Sequence, residues 1–207
     1  MTDELTTTTQ PPPNIVRLAL LFEGGLAVLA CAAGCFLVTP PWQRVLWRPT
    51  DAAYGLAATL PLVVGLFFMR RVRSGSLGKL NTVVDDILVP LFANCSIWQL
   101  GFISLVAGVG EELFFRGVLQ PLLVTWWGAI AGICVVSVVF GLLHALTIAY
   151  AVLATLVGAY LGWLALATGN LLVPIITHAL YDFVALIYLV RTSFAPSTDL
   201  PMNLSQR

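Results

Sequence analysis

Charge is what this chain has least of. Ten Lys and Arg with ten Asp and Glu make up 10% of its 207 residues, against roughly 25% in soluble domains. With 59% hydrophobic residues and a mean hydropathy of +0.94, the composition excludes an ordinary soluble domain and points to the bilayer. The formal net charge is zero and there is no basic tract, which argues against nucleic acid as a partner. Histidine is scarcer still, limited to His144 and His178. No His-Glu-x-x-His motif occurs, which weakens a classical zinc-protease reading. Cys31, Cys35, Cys95 and Cys134 lie in or beside apolar runs and are expected to be buried free thiols rather than disulfide partners or ligands. No internal repeat is apparent.

What is present is a series of apolar runs long enough to cross a membrane. They predict an all-α, polytopic integral membrane protein, a single domain over 15–190 with about six transmembrane helices. Residues 1–14, threonine-rich and closed by three prolines, are expected to form a disordered leader, and 191–207 a flexible tail. The leader has no basic n-region or small-residue cleavage site, which counts against a cleaved signal peptide. Spans are predicted over 15–38, 52–69, 97–124, 129–146, 148–167 and 171–190, with turns near Gly128 and Gly169. The first carries Glu23, read either as a group behind a site or as an interfacial charge. The fifth is rich in Gly and Ala, which suits close helix packing. Residues 83–92, with Asp85, Asp86 and Pro90, are too short and polar to cross and are expected to form an amphipathic or partly inserted helix.

Arg70, Arg71, Arg73 and Lys79 form the densest basic cluster. By the positive-inside tendency that connection is cytoplasmic, and an even number of spans places both termini there too, in a plasma (inner) membrane. The aromatic loop 42–47 and the turn at 126–128 then face the other side.

Gly108 to Leu119 sets three charges inside an apolar run, and intramembrane charges are functional candidates by default. Glu112 and Arg116 are four apart with the acid first, the favourable order for an intrahelical pair, whereas Glu111 points about 100° away. Glu112 is therefore neutralised locally and Glu111 faces something else. The two histidines sit in other apolar segments, and Asp182 follows His178 by one helical turn on the same face. In a hairpin about Gly128, Glu111 and His144 are each about 16 residues from the turn, about 24 Å deep. His178, eight residues past Gly169, would be roughly 12 Å too shallow in a straight hairpin unless tilt or an irregular start near Pro174 closes the gap.

Glu111-Glu112-x-x-x-Arg116, Phe140-x-x-x-His144 and His178-x-x-x-Asp182, in that order on successive spans over 97–190, resemble the CAAX-processing and bacteriocin-immunity (abortive-infection) family of intramembrane proteases, which includes the type II CAAX prenyl endopeptidases. The resemblance implies an endopeptidase acting on membrane-embedded or lipidated substrates, with its opening on the cytoplasmic side. It makes Glu111 and His144 the water-activating pair, His178 and residue 182 the oxyanion-stabilising pair, and Glu112 with Arg116 a supporting pair. The family often carries Asn where this chain has Asp182. An ionised carboxylate would repel an oxyanion, so Asp182 is either protonated, or orients His178, or holds a metal.

Two mechanisms remain open at the level of sequence. The preferred one needs no cofactor: a glutamate in a poorly solvated site acts as base on a water that a histidine also orders. The alternative is a zinc ion held among Glu111, His144, His178 and Asp182, a ligand set with an open position. Rival functions are an ion- or proton-coupled transporter using the same residues as a relay, and a non-catalytic immunity or scaffold protein with this fold.

Overall fold

The computed structural model describes residues 15–36 and 40–193. The expected leader, 1–14, and residues 194–207 of the expected tail lie outside the described residues. Every element of the described chain is helical: α1 (Ile15–Gly34), a 3₁₀ turn (Pro41–Arg44), α2 (Pro49–Arg71), α3 (Gly75–Val83), α4 (Val89–Phe92), α5 (Ile97–Glu111), α6 (Gln120–Leu143), α7 (Ile148–Thr168) and α8 (Leu172–Ser193). Two π-helical turns, Val84–Leu88 and Glu112–Leu119, join α3 to α4 and α5 to α6.

Local chemistry explains the ends. Ser96 accepts from the Gln99 backbone while the Gln99 side chain accepts from the Ser96 N–H, a reciprocal cap that starts α5. Thr147 caps α7, and Gly169, at φ 62°, ends it in the left-handed region that glycine adopts without penalty.

Among the described residues, five helical stretches are long and apolar enough to cross a membrane, and one of them, Ile97–Leu143, is 47 residues long. That stretch is not straight. Gly128 has φ 81° and ψ 168°, outside helical space, and a Cβ on Gly132 would lie 2.7 Å from the Val124 nitrogen. Phe115 and Phe140, 25 positions apart in sequence, stack edge to face with centroids 5.1 Å apart. The chain therefore reverses at Gly128 and the stretch supplies two of the expected spans. The polar stretch expected at 83–92 begins earlier, at Gly75. Its Leu80, Val84 and Val89 are buried with Leu189 of α8, and Arg70 clamps it to α2 through both carboxylate oxygens of Asp85, at 2.8 and 3.1 Å.

Helix α8 is the central element, packed on α2, α5 and α7. It meets α5 where a Cβ on Gly108 would come within 2.8 Å of the Ala179 Cβ. Helix α7 lies close along α6: at Gly158 a Cβ would lie 3.3 Å from Phe140 and from the Ser137 Cα. The Gly- and Ala-rich reading of that span is met.

The depth discrepancy at His178 is resolved by a recessed turn, and α8 needs no irregular start. The Leu171 N–H donates to the Arg44 carbonyl at 2.9 Å, and Leu171 packs against Gly117, where a Cβ would stand 3.2 Å from its Cδ1. The Gly169 turn thus sits level with Gly117, not with Gly128, which lies eleven residues or about 16 Å further along. Counting from that common level, Glu111 is six residues down α5 and His178 seven down α8, so the two meet.

The cysteines depart from expectation in one respect. They are free, but Cys31, Cys35 and Cys134 are exposed and Cys95 is half-buried. An apolar run in a membrane helix turns much of its surface to lipid, so apolar neighbours in sequence do not imply protein burial.

Candidate active site

Glu111 is the last residue of α5, and the π-helical turn that begins at Glu112 changes the direction of the side chains after it. Such turns concentrate at functional sites. The two adjacent glutamates consequently meet different partners. Glu112 is fully buried, and its Oε1 lies 2.8 Å from Arg116 Nη1 and 2.8 Å from His178 Nδ1. Arg116, also fully buried, donates through Nη2 to the Gly158 carbonyl at 3.0 Å, and its guanidinium lies over the Phe140 ring, 4.6 Å from the centroid. This pair is a structural post joining α5, α6, α7 and α8; hydrogen bonds offset part of the cost of burying its charges, while Oε2 of Glu112 and Nε of Arg116 have no hydrogen-bond partner.

Glu111 has no such anchor. Its Oε1 is 3.5 Å from His144 Nε2 and its Oε2 is 3.9 Å from His178 Nε2. His144 follows α6 directly, with Nδ1 2.8 Å from the Phe140 carbonyl. A carbonyl only accepts, so Nδ1 carries the hydrogen and Nε2 is the atom turned to Glu111. His178 is fixed the same way by Glu112 at Nδ1, so both imidazoles present Nε2 to Glu111. Asp182 Oδ2 lies 3.4 Å from His178 Nε2. All six residues singled out in sequence are brought together.

Phe140 is the floor of this arrangement. Its ring stacks on His144 with centroids 4.3 Å apart and meets His178 edge-on at 6.1 Å, so one aromatic side chain sets both imidazoles. In sequence it was visible only as the residue four before His144.

A cavity of about 270 Å³ opens beside the imidazoles, lined by His144, His178 and Asp182 together with Tyr150, Tyr181 and apolar residues of α2 from Pro61 to Met69. The two tyrosines and the α2 wall carry no charge and give no signal in sequence; Tyr150 and the α2 wall sit outside the motif blocks, and Tyr181 is an unspecified position within one. Met69 is next to Arg70, so the cavity lies toward the end of the bundle that holds the basic cluster. Among the described residues, no group of three or more His, Cys, Asp and Glu side chains is arranged to hold a metal ion.

Residues 93–184 match the family model for type II CAAX prenyl endopeptidases, Rce1-like. This segment is similar to that family. The match contains Glu111, Glu112, Arg116, His144, His178 and Asp182, and it supports the resemblance drawn from the three motif blocks. It leaves out α1 to α4, and with them Glu23 and the α2 wall of the cavity. No curated protein and no solved structure matches the chain.

Proposed function

We propose that the protein is an intramembrane endopeptidase of the CAAX prenyl type, which hydrolyses a peptide bond of a lipidated or membrane-embedded substrate with a water activated by Glu111 and His144. The observation that carries this reading is the division of the adjacent glutamates: Glu112 is held by Arg116, while Glu111 faces the Nε2 atoms of two imidazoles beside a cavity.

In this reading a water between Glu111 and His144 gives a proton to Glu111 as its oxygen attacks the scissile carbonyl carbon. The carbonyl electrons move to oxygen, and the resulting oxyanion accepts a hydrogen bond from the Nε2–H of His178, which acts here as an imidazolium whose Nδ1–H Glu112 holds. Glu111 returns the proton to the amide nitrogen, the C–N bond breaks, and an acid and an amine leave. Asp182 Oδ2 orients His178 from 3.4 Å at that same Nε2, and the oxyanion takes its place on the Nε2–H as the intermediate forms. No step calls on a metal.

The apolar α2 wall suits the lipid group of a prenylated substrate, and the basic cluster near the cavity supports an opening on the cytoplasmic side by the positive-inside tendency. The test is mass spectrometry of a farnesylated peptide with a C-terminal CAAX sequence, incubated with the full chain in liposomes and with its Glu111→Gln form. Cleavage by the unsubstituted protein alone is expected. Equal products with both proteins would overturn the assignment, and equal cleavage of the unlipidated peptide would overturn the lipid requirement.

A further inference from the structure

Glu23 has no part in the mechanism above, yet it is not a lipid-facing charge. Along α1, Leu18, Leu21, Phe22, Val28 and Leu29 are at least half exposed, which marks the membrane-facing side. Glu23 lies on the other side, in line with Ala27, Ala30 and Gly34 at helical spacing. Ala30 is buried against Leu113 and Val118. At Gly110 the backbone of α5 rests on the Glu23 carbonyl, with the Ala27 nitrogen 3.5 Å from where a Cβ would be. Helix α1 therefore crosses α5 at the residue before Glu111, and any side chain on Gly110 would separate them.

This crossing seats Glu23 on α5 at the residue before Glu111, within electrostatic range of Glu111, His178, His144 and Asp182. Its Oε2 is buried without a hydrogen-bond partner, and so is Oε2 of Glu111. An unpartnered buried carboxyl oxygen costs free energy that native structures recover through a proton, a water or a ligand. Two of them, on contacting helices, interacting but not hydrogen-bonded to each other, fit one water bridging both.

We propose that Glu23 is a positioning residue for the attacking water, and that its Oε2 and the Oε2 of Glu111 each accept one of that water's two hydrogens. This inference rests on the endopeptidase reading above. The water's oxygen is thereby turned away from both carboxyls: one lone pair accepts from the Nε2–H of His144 in its imidazolium form and the other faces the substrate carbonyl, while Glu111 remains the group that takes the proton. Helix α1 supplies a functional group although it lies outside the Rce1-like segment.

The experiment compares Glu23→Gln and Glu23→Met in the full chain, reconstituted in liposomes, with kcat, KM and thermal midpoint measured on the farnesylated peptide. Gln keeps an acceptor oxygen; Met keeps the volume and removes the unpartnered oxygens. Glu23→Met should lower kcat about 100-fold, the order of loss for a misplaced reactant, with KM unchanged and the thermal midpoint equal or higher. Glu23→Gln should stay within about tenfold of the unsubstituted kcat. Full kcat in Glu23→Met overturns the proposal, as does a lower thermal midpoint or lost fold in that variant, which would make the carboxyl structural. Equal losses in the two variants overturn it too, since an acceptor would then not suffice. Glu111→Gln is assayed alongside: turnover there would refute the endopeptidase reading itself, whatever Glu23 does.

Discussion

His178 Nδ1 sits 2.8 Å from Oε1 of Glu112, a residue 66 positions earlier that also holds Arg116. The carboxylate that neutralises the arginine therefore also fixes the imidazole on the far side of the site. Stability and the geometry of the proposed site share one buried group.

That shared group sets the expected behaviour of Glu112→Gln. The amide keeps one acceptor but cannot balance Arg116, so a loss of ~3 to 5 kcal/mol is expected, as for one partner removed from a buried pair. A lower thermal midpoint and lower yield should appear with reduced turnover, because His178 loses its brace. A variant with unchanged melting would contradict this structural role.

Glu111→Gln should do the opposite. It removes the proposed base without adding a buried charge, so the thermal midpoint should hold or rise while turnover falls by about 10² to 10⁴. Full activity, or collapse of the fold, would reverse the roles given to the adjacent glutamates.

Asp182→Asn separates the two mechanisms. Without metal, the amide still orients His178 and can add an N–H donor toward the oxyanion, so activity should be kept or raised. With zinc held through Asp182, the same change should weaken metal binding and lower activity. Peptide cleavage measured with and without chelator decides it; loss in chelator restored by stoichiometric zinc, together with loss in Asp182→Asn, would overturn the metal-independent mechanism.

Gly108→Ala tests how α8 is seated. The new methyl would stand 2.8 Å from the Ala179 Cβ and 2.9 Å from its nitrogen, so α8 must move one residue from His178. A loss of about 1 to 3 kcal/mol is expected from overpacking, with kcat lowered as well. Gly24→Ala is the control, since nothing lies within 4 Å of its Cβ position; it should match or exceed the thermal midpoint of the unsubstituted protein. Equal melting of the two variants would show that the contact carries no strain.

Orientation can be read by labelling single cysteines placed at Ser74 and Thr125, both exposed, in a chain whose own cysteines are replaced. Ser74 should label from the cytoplasmic side and Thr125 from the other. Labelling of both from one side would refute the proposed topology.

How much of this was legible beforehand follows from the range of the interactions involved. The spans were readable because apolar length and the punctuation of Gly128, Gly169 and the prolines are local properties, as is the pairing of Glu112 with Arg116 across one turn. The matched depth of Glu111 and His144 was readable too, since a hairpin about one glycine makes depth a matter of counting. The tertiary structure decided the rest. His178 reaches the site because the turn at Gly169 is recessed against Arg44 and Gly117, which depends on contacts with a loop more than a hundred residues away in sequence. Glu23 is seated against α5 beside Glu111, with its Oε2 buried, because Gly110 lets α1 come within backbone contact, and a bare glycine gives no sign of which helix will use the space. Cys31, Cys35 and Cys134 face outward for a related reason: in a membrane both surroundings are apolar, so hydropathy separates protein from water but cannot separate protein from lipid.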